Sequence, residues 1–222
     1  MEIHVDDAHR VSALLNAPPG AAACLVLAHG AGAGMTHPFM ATVAEGLSAR
    51  QIATLRFQFP YMEAGSKRPD RAPLAQATVR AAVDAARGSL GGVPLFAGGK
   101  SFGGRMTSQA QAEAPLPGVL GLVFLGFPLH PAGKPSADRA AHLARISAPM
   151  LFLQGTRDAL ADMSHLGPVI ATLGERAALV AAEQADHSFH VPARSGRTDA
   201  DVLRELLDRA ADWMQGLIAQ RW

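Results

Sequence analysis

The chain has 222 residues, of which 49% are hydrophobic; that is enough to bury one sizeable core and short for two domains of ordinary size, so one domain over residues 1–222 is expected. Its 20 basic and 19 acidic side chains nearly cancel, so no global field draws the chain to nucleic acid or to an anionic membrane surface, and a small-molecule partner is expected. Neither feature sets an oligomeric state.

In chain order, residues 1–10 carry Glu2, Asp6 and Asp7 and lack the basic-then-apolar layout of a signal peptide. The only cysteine, Cys24, sits in the apolar run 21–28 without a partner for an intramolecular disulfide, which fits a buried small hydrophobe in a reducing compartment. The longest apolar stretches, 21–28 and 119–125, fall far short of the roughly 20 residues that span a bilayer. A soluble, cytoplasmic protein with no membrane association is expected.

Short apolar runs flanked by Gly and Pro alternate with longer Ala-rich or charged segments, the pattern of strands and crossover helices. Strands are expected at 22–28, 53–57, 94–97, 119–125, 150–154 and 178–182. Their continuous rather than alternating apolar character predicts a mostly parallel central sheet covered by helices on both faces, with an edge strand at 11–16. Helices are expected at 74–87, 104–114 and 201–218, the last with Thr198 and Asp199 available to its first turn. The stretches 59–73 and 127–135 are long enough to be functional loops overhanging a site.

Residues 93–104 read VPLFAGGKSFGG, so Gly99, Ser101 and Gly103 form G-x-S-x-G between an expected strand and an expected helix. A nucleophilic serine must project from a sharp, strained turn, and glycines two positions away on either side remove Cβ atoms that would collide with strand and helix. A Gly-rich turn bearing a surface serine is the simpler alternative. A serine hydroxyl also needs a base, and the base an orienting acid, in the chain order Ser, Asp, His. Asp158 follows the strand at 150–154 in GTRD, and His187 follows the next strand in QADHSFH. Asp158 would fix the tautomer of His187 and stabilise its imidazolium. Asp162 and His190 are the nearest rivals.

The oxyanion of an acyl-transfer intermediate needs two N–H donors. Phe102 is one candidate; the Gly-rich HGAGAGM run after the first long strand offers the other, with Ala31 favoured and Gly32 next. That run lacks both a full G-x-G-x-x-G and a P-loop lysine, against nucleotide binding. His29 is expected to brace it, while His37, His130, His142 and His165 are scattered without metal-ligand spacing, so no metal is expected. Lys100 on the turn is expected to point to solvent. Met35, Phe39, Phe59, Tyr61 and His130 are candidate substrate-pocket residues.

The segments LAHGAGAGMTHPFM (27–40), RFQFPYMEAGSKRPDR (56–71), GGKSFGGRM (98–106), LGFPLHPAGKP (125–135) and LFLQGTRD (151–158), with the later ADHSF, span most of the chain. Together they resemble the small α/β-hydrolase-fold family that includes bacterial hydrolases and the KANL3/Tex30 proteins of animals, related to dienelactone-hydrolase-like enzymes. The resemblance implies an α/β-hydrolase fold without a cap domain, and the same Ser101, Asp158 and His187 assignment. The expected function is hydrolysis of a small ester or thioester, with no cofactor because Ser-His-Asp chemistry needs none. A non-catalytic interaction protein on the same scaffold, or a small-peptide serine peptidase, are the alternatives.

Overall fold

A computed structural model describes residues 1–220, and its organising element is one eight-stranded sheet in the order β1-β2-β4-β3-β5-β6-β7-β8. The strands are β1 (Glu2–His4), β2 (Arg10–Asn16), β3 (Ala23–Ala28), β4 (Ile52–Phe57), β5 (Leu95–Lys100), β6 (Val119–Leu125), β7 (Met150–Gly155) and β8 (Ala177–Ala182). β1 and β2 pair antiparallel at one edge, and every pairing from β4 to β8 is parallel. The helices are α1 (Pro38–Ser48), α2 (Pro60–Glu63), α3 (Ala72–Ser89), α4 (Phe102–Glu113), α5 (Met163–Leu173) and α6 (Asp199–Ala219).

The apolar runs of β3 and β7 are buried at every position because the sheet has a core on each face. One joins Phe57, Phe124 and Phe152 to Val79 and Val83 of α3 and Met106 of α4. The other joins Leu25, Phe96 and Leu151 to Met40 and Leu47 of α1 and to Leu206, Leu207 and Met214 of α6. At roughly 1.5 to 3 kcal/mol per buried large apolar side chain, these two layers dominate the folding free energy. Thr198 caps α6 in a reciprocal box with Asp201, so its long amphipathic stripe begins at a defined residue.

Four expectations change. β8 is a half-exposed edge rather than a strand buried on both faces, because β7 is its only neighbour in the sheet. The first strand, β1, was not anticipated; three residues with a single buried side chain, Ile3, carry little signal. The stretch 59–73 is not an open loop: α2 forms one turn in it and α3 begins at Ala72. Helix α1 was also not anticipated, since Pro38 at its start reads as a breaker; Pro38 instead sits at a first-turn position, where no N–H is needed.

Between β6 and β7 lies only a short 3₁₀ segment, Asp138–Arg145, so no cap domain covers the sheet. Among the described residues, no helix is long and apolar enough to cross a membrane. The chain runs from β3 to β4 on one side and later to β5 on the other. This topological switch puts the carboxyl ends of β3 and β5 beside an open crevice, where ligands bind in such sheets.

Candidate active site

β5 ends at Lys100 and α4 starts at Phe102, leaving Ser101 alone at the turn with φ 50° and ψ −114°. Holding a non-glycine residue there costs on the order of 1–3 kcal/mol and persists only where the surroundings enforce it. Here the enforcement is close backbone packing. A Cβ at Gly103 would lie 2.5 Å from the carbonyl oxygens of both Ala28 and His29, and one at Gly99 would collide with the Ala28 carbonyl. The glycines let α4 and β5 close onto the end of β3, and the turn has nowhere else to go.

The Ser101 hydroxyl donates to His187 Nε2 at 2.9 Å. On the other side of the ring, Nδ1 donates to Asp158 Oδ2 at 2.6 Å, so Nδ1 carries the proton of the neutral imidazole and Nε2 presents its lone pair to the serine. The Asp158 side chain is fully buried while that of His187 is 23% exposed. A buried carboxylate needs more than one partner. Asp158 has three: the imidazole, the Leu160 N–H at 2.7 Å to Oδ1, and Gln154 Nε2 at 2.5 Å to Oδ2. Gln154 is itself fully buried at the end of β7 and accepts from the Phe127 N–H at 2.8 Å.

The rivals lie elsewhere. Asp162 caps α5 through the Ser164 N–H, and His190 is an exposed partner of Asp199 at 2.9 Å.

Phe102 is the first residue of α4, and among the described residues neither its N–H nor that of Ala31 meets an acceptor. The Gly32 N–H, by contrast, donates to the Tyr61 hydroxyl at 3.1 Å, which removes Gly32 from the candidate oxyanion donors. His29 braces this loop from below: Nδ1 donates to the Gly30 carbonyl at 2.8 Å, and Nε2 accepts from the Phe59 N–H at 3.1 Å. Burial lowers the His29 pKa and so favours the neutral ring that both bonds require.

A cavity of about 470 Å³ opens at Ser101, with Gly30, Ala31, His37, Phe39, Met40, Leu160, His187 and Ser188 around it. Of the five candidate pocket residues, only Phe39 lines it. Phe59 and Tyr61 are buried under the Gly30 loop, where Phe59 packs edge-on to His29 and Phe102. The Met35 main chain is tied to Gln58 and Arg56, and His130 is buried with its ring bonded to the main chain at Pro131 and Asp162. No residue of the stretches 59–73 and 127–135 is therefore among those around the cavity, and Phe59, Tyr61 and His130 are buried away from it. A second cavity, of about 410 Å³, lined by Leu90, Pro94, Leu120 and Ile218 among others, lies at the opposite end of the strands and contains no nucleophilic side chain.

Residues 21–215 match a family described as an alpha/beta hydrolase domain. The chain belongs to the alpha/beta hydrolase family. This hydrolase-family chain also superposes on a dienelactone hydrolase from Anabaena variabilis at a TM-score of 0.78 and 22% identity, covering 97% of this chain and 95% of the other. An alpha-beta serine hydrolase homologue from Coxiella burnetii gives a TM-score of 0.76 at 20% identity, with 95% of each chain covered. A lidless a/b serine hydrolase from Xanthomonas campestris gives 0.74 at 20% identity, covering 96% and 93%. The alpha/beta hydrolase fold without a lid is thus shared along nearly the whole length.

Two contributors to the site were not read from the sequence. Gln154 left a signal, as the single polar side chain in the otherwise apolar run MLFLQG of β7. Lys100 was expected in solvent; instead it is half-buried, and its ammonium donates to the main-chain carbonyl of His187 at 2.5 Å. The reversal follows from the strand: β5 continues through Gly98–Lys100, so Lys100 is the last strand residue and not a turn residue.

Proposed function

We propose that this alpha/beta hydrolase is a serine hydrolase cleaving small esters or thioesters, with Ser101 as nucleophile, His187 as general base and Asp158 as its orienting acid. The observation that carries this reading is the continuous hydrogen-bonded line from the Ser101 hydroxyl through His187 to Asp158, at 2.9 and 2.6 Å, opening on a cavity.

In the first half-reaction Ser101 Oγ attacks the carbonyl carbon while its proton passes to His187 Nε2, and the carbonyl π electrons move onto oxygen. The N–H groups of Phe102 and Ala31 face that oxyanion, a contribution of about 3–4 kcal/mol per donor in comparable sites. Collapse expels the alkoxide or thiolate, which takes the proton from Nε2 and leaves the acyl group on Ser101. Water then repeats the cycle: Nε2 accepts its proton, the hydroxide oxygen bonds to the acyl carbon, and Ser101 departs with the proton returned. Asp158 remains ionised throughout and stabilises the imidazolium.

Phe39, Met40 and Leu160 make the cavity wall largely apolar, and without a cap nothing extends it over a long chain. Both features favour short acyl groups on a small-molecule substrate.

The test is exposure of the pure protein and its Ser101→Ala variant to a fluorophosphonate probe, with adducts located by peptide mass spectrometry, alongside p-nitrophenyl acetate, butyrate and octanoate as substrates. Labelling confined to Ser101, lost in the variant, and turnover falling from acetate to octanoate are expected. A folded wild type that stays unlabelled over long exposure would overturn the reading.

A further inference from the structure

Lys100 is the residue immediately before the proposed nucleophile, yet its side chain reaches across the site to the residue that supplies the base. Its stem passes Gly30, where a Cβ would meet Lys100 Cγ at 3.5 Å. Its ammonium lies 6.0 Å from the Phe39 ring centroid and 5.4 Å from that of Phe189, and it donates to the His187 carbonyl. The third wall is Gly126, at the end of β6. A Cβ there would stand 2.9 Å from Lys100 Nζ and 3.4 Å from His187 Cε1 and Nδ1. Ammonium and imidazole therefore share the space left by one missing side chain, at a residue whose φ of +69° also favours glycine.

An ammonium out of bulk water carries a desolvation cost, and the hydrophobic alternative at this position would be methionine. The cost is offset by a charge-assisted bond to the backbone of the histidine itself. His187 sits in an irregular segment after β8, bounded by Gln184 and Phe189 at positive φ, so no regular ladder fixes its main chain. Resting on the serine-hydrolase reading, we infer that Lys100 is a positioning residue: by gripping the His187 carbonyl above Gly126 it holds the imidazole at the Ser101 hydroxyl.

The carboxylates acting on this ammonium are those of Asp158 and Asp186, the His187 ring adjoins it, Phe39 of α1 faces it, and His37 at the start of α1 lines the same cavity. Burial outweighs the two carboxylates and brings the Lys100 pKa down to about 8. The grip is therefore at full strength below that pH and weakens above it.

The experiment compares wild type with Lys100→Met, which keeps the stem and removes the donor, by fluorophosphonate labelling rate and by p-nitrophenyl acetate kinetics from pH 6 to 10. Expected is a fall of about 10- to 100-fold in labelling rate and kcat, the scale of an ångström-level misplacement, with KM changed less than about threefold. The wild type should also decline above about pH 8, a limb that the variant lacks. A variant within threefold of wild type in both rates, or a loss carried by KM, overturns the inference while leaving the labelled Ser101 in place. If Lys100→Met does not fold, the wild-type profile decides: a labelling rate still rising to pH 10 overturns it. An unlabelled wild type is a separate result, which removes the hydrolase reading and the role of Lys100 together.

Discussion

Ser101 and His187 are 2.9 Å apart, yet opposite kinds of force hold them. The serine side is placed by backbone against backbone: Gly99 and Gly103 press onto the Ala28 and His29 carbonyls with no room for a methyl group. The histidine side is placed by side chains reaching in, namely Asp158 to the ring, Lys100 to the carbonyl, and Asp186 to the N–H groups of Ser188 and His190. Steric placement is nearly independent of pH and fails abruptly when a group is added. Placement by polar side chains is graded, titratable and open to dissection one bond at a time.

The largest effect tests the polar side. Asp158→Asn keeps the shape but can present an N–H to Nδ1, which would turn the imidazole to the wrong tautomer; kcat on p-nitrophenyl acetate should fall about 10⁴-fold. Circular dichroism should stay unchanged. Retention of more than a tenth of wild-type kcat would mean that His187 is oriented by something other than this carboxylate.

On the steric side, Gly103→Ala forces a Cβ within 2.5 Å of two carbonyl oxygens. The expected cost is about 3 kcal/mol of stability in urea denaturation, the upper end for overpacking, together with loss of labelling. A variant as stable as wild type would show that the end of β3 yields, and the contrast between the two sides would collapse.

Lys100 sharpens the contrast through stability, with the opposite sign to activity. Its pKa lies near 8 in the folded chain against an ordinary 10.5. Below pH 8 the proton is bound in both states and the full cost of the buried charge is present. As pH rises from about 8 to 10.5 the folded state has released a proton that the unfolded state keeps, so the cost is relieved by up to about 3 kcal/mol. Denaturation of wild type and Lys100→Met at pH 7 and pH 10 should show wild type gaining on the variant at the higher pH; a constant difference would place the ammonium in water.

Tyr61 is a smaller case. Its hydroxyl is the acceptor for the Gly32 N–H, so Tyr61→Phe should loosen the Gly30 loop, which would carry an oxyanion donor in the proposed mechanism, without touching substrate. The loss of one such bond is about 1 kcal/mol of stability, read as a fall of roughly 2–4 °C in melting temperature, with kcat lowered by no more than about fivefold.

The same division separates what the sequence discloses from what it conceals. Placement by backbone leaves local marks: the glycines around Ser101, the Gly-rich run after β3, and the apolar runs of β3, β6 and β7 are all legible because each residue type is demanded by its own conformation or burial. Placement by side chains depends on which distant residues meet. Chain order points to Asp158 and His187, and Gln154 stands only four positions before the carboxylate it bonds, but Lys100 acts on a carbonyl 87 positions away. Phe59, Tyr61 and His130, candidate pocket residues in the sequence, are buried away from the cavity for the same reason. Aromatic and imidazole rings in a connecting stretch carry no local sign of whether they face the cavity or the underside of the loop that forms it.

The smallest expected effect concerns His190, the other histidine of the QADHSFH stretch. It is exposed, its ring bonds Asp199, and that bond, more than the Coulombic attraction behind it, raises its pKa above 6.5. Its stabilising contribution is therefore present below pH 6.5 and is lost as pH rises through the raised value, whereas the base in the proposed mechanism must be neutral to act. His190→Ala should leave fluorophosphonate labelling within about twofold, as expected for removal of a solvent-screened pair, and should lower the melting temperature slightly at pH 6 but not at pH 9. A loss of labelling comparable to that of Asp158→Asn would instead move the base to His190. The line through Ser101, His187 and Asp158 would then be a structural bond network, and the side-chain half of the contrast would have to be rebuilt around Asp199.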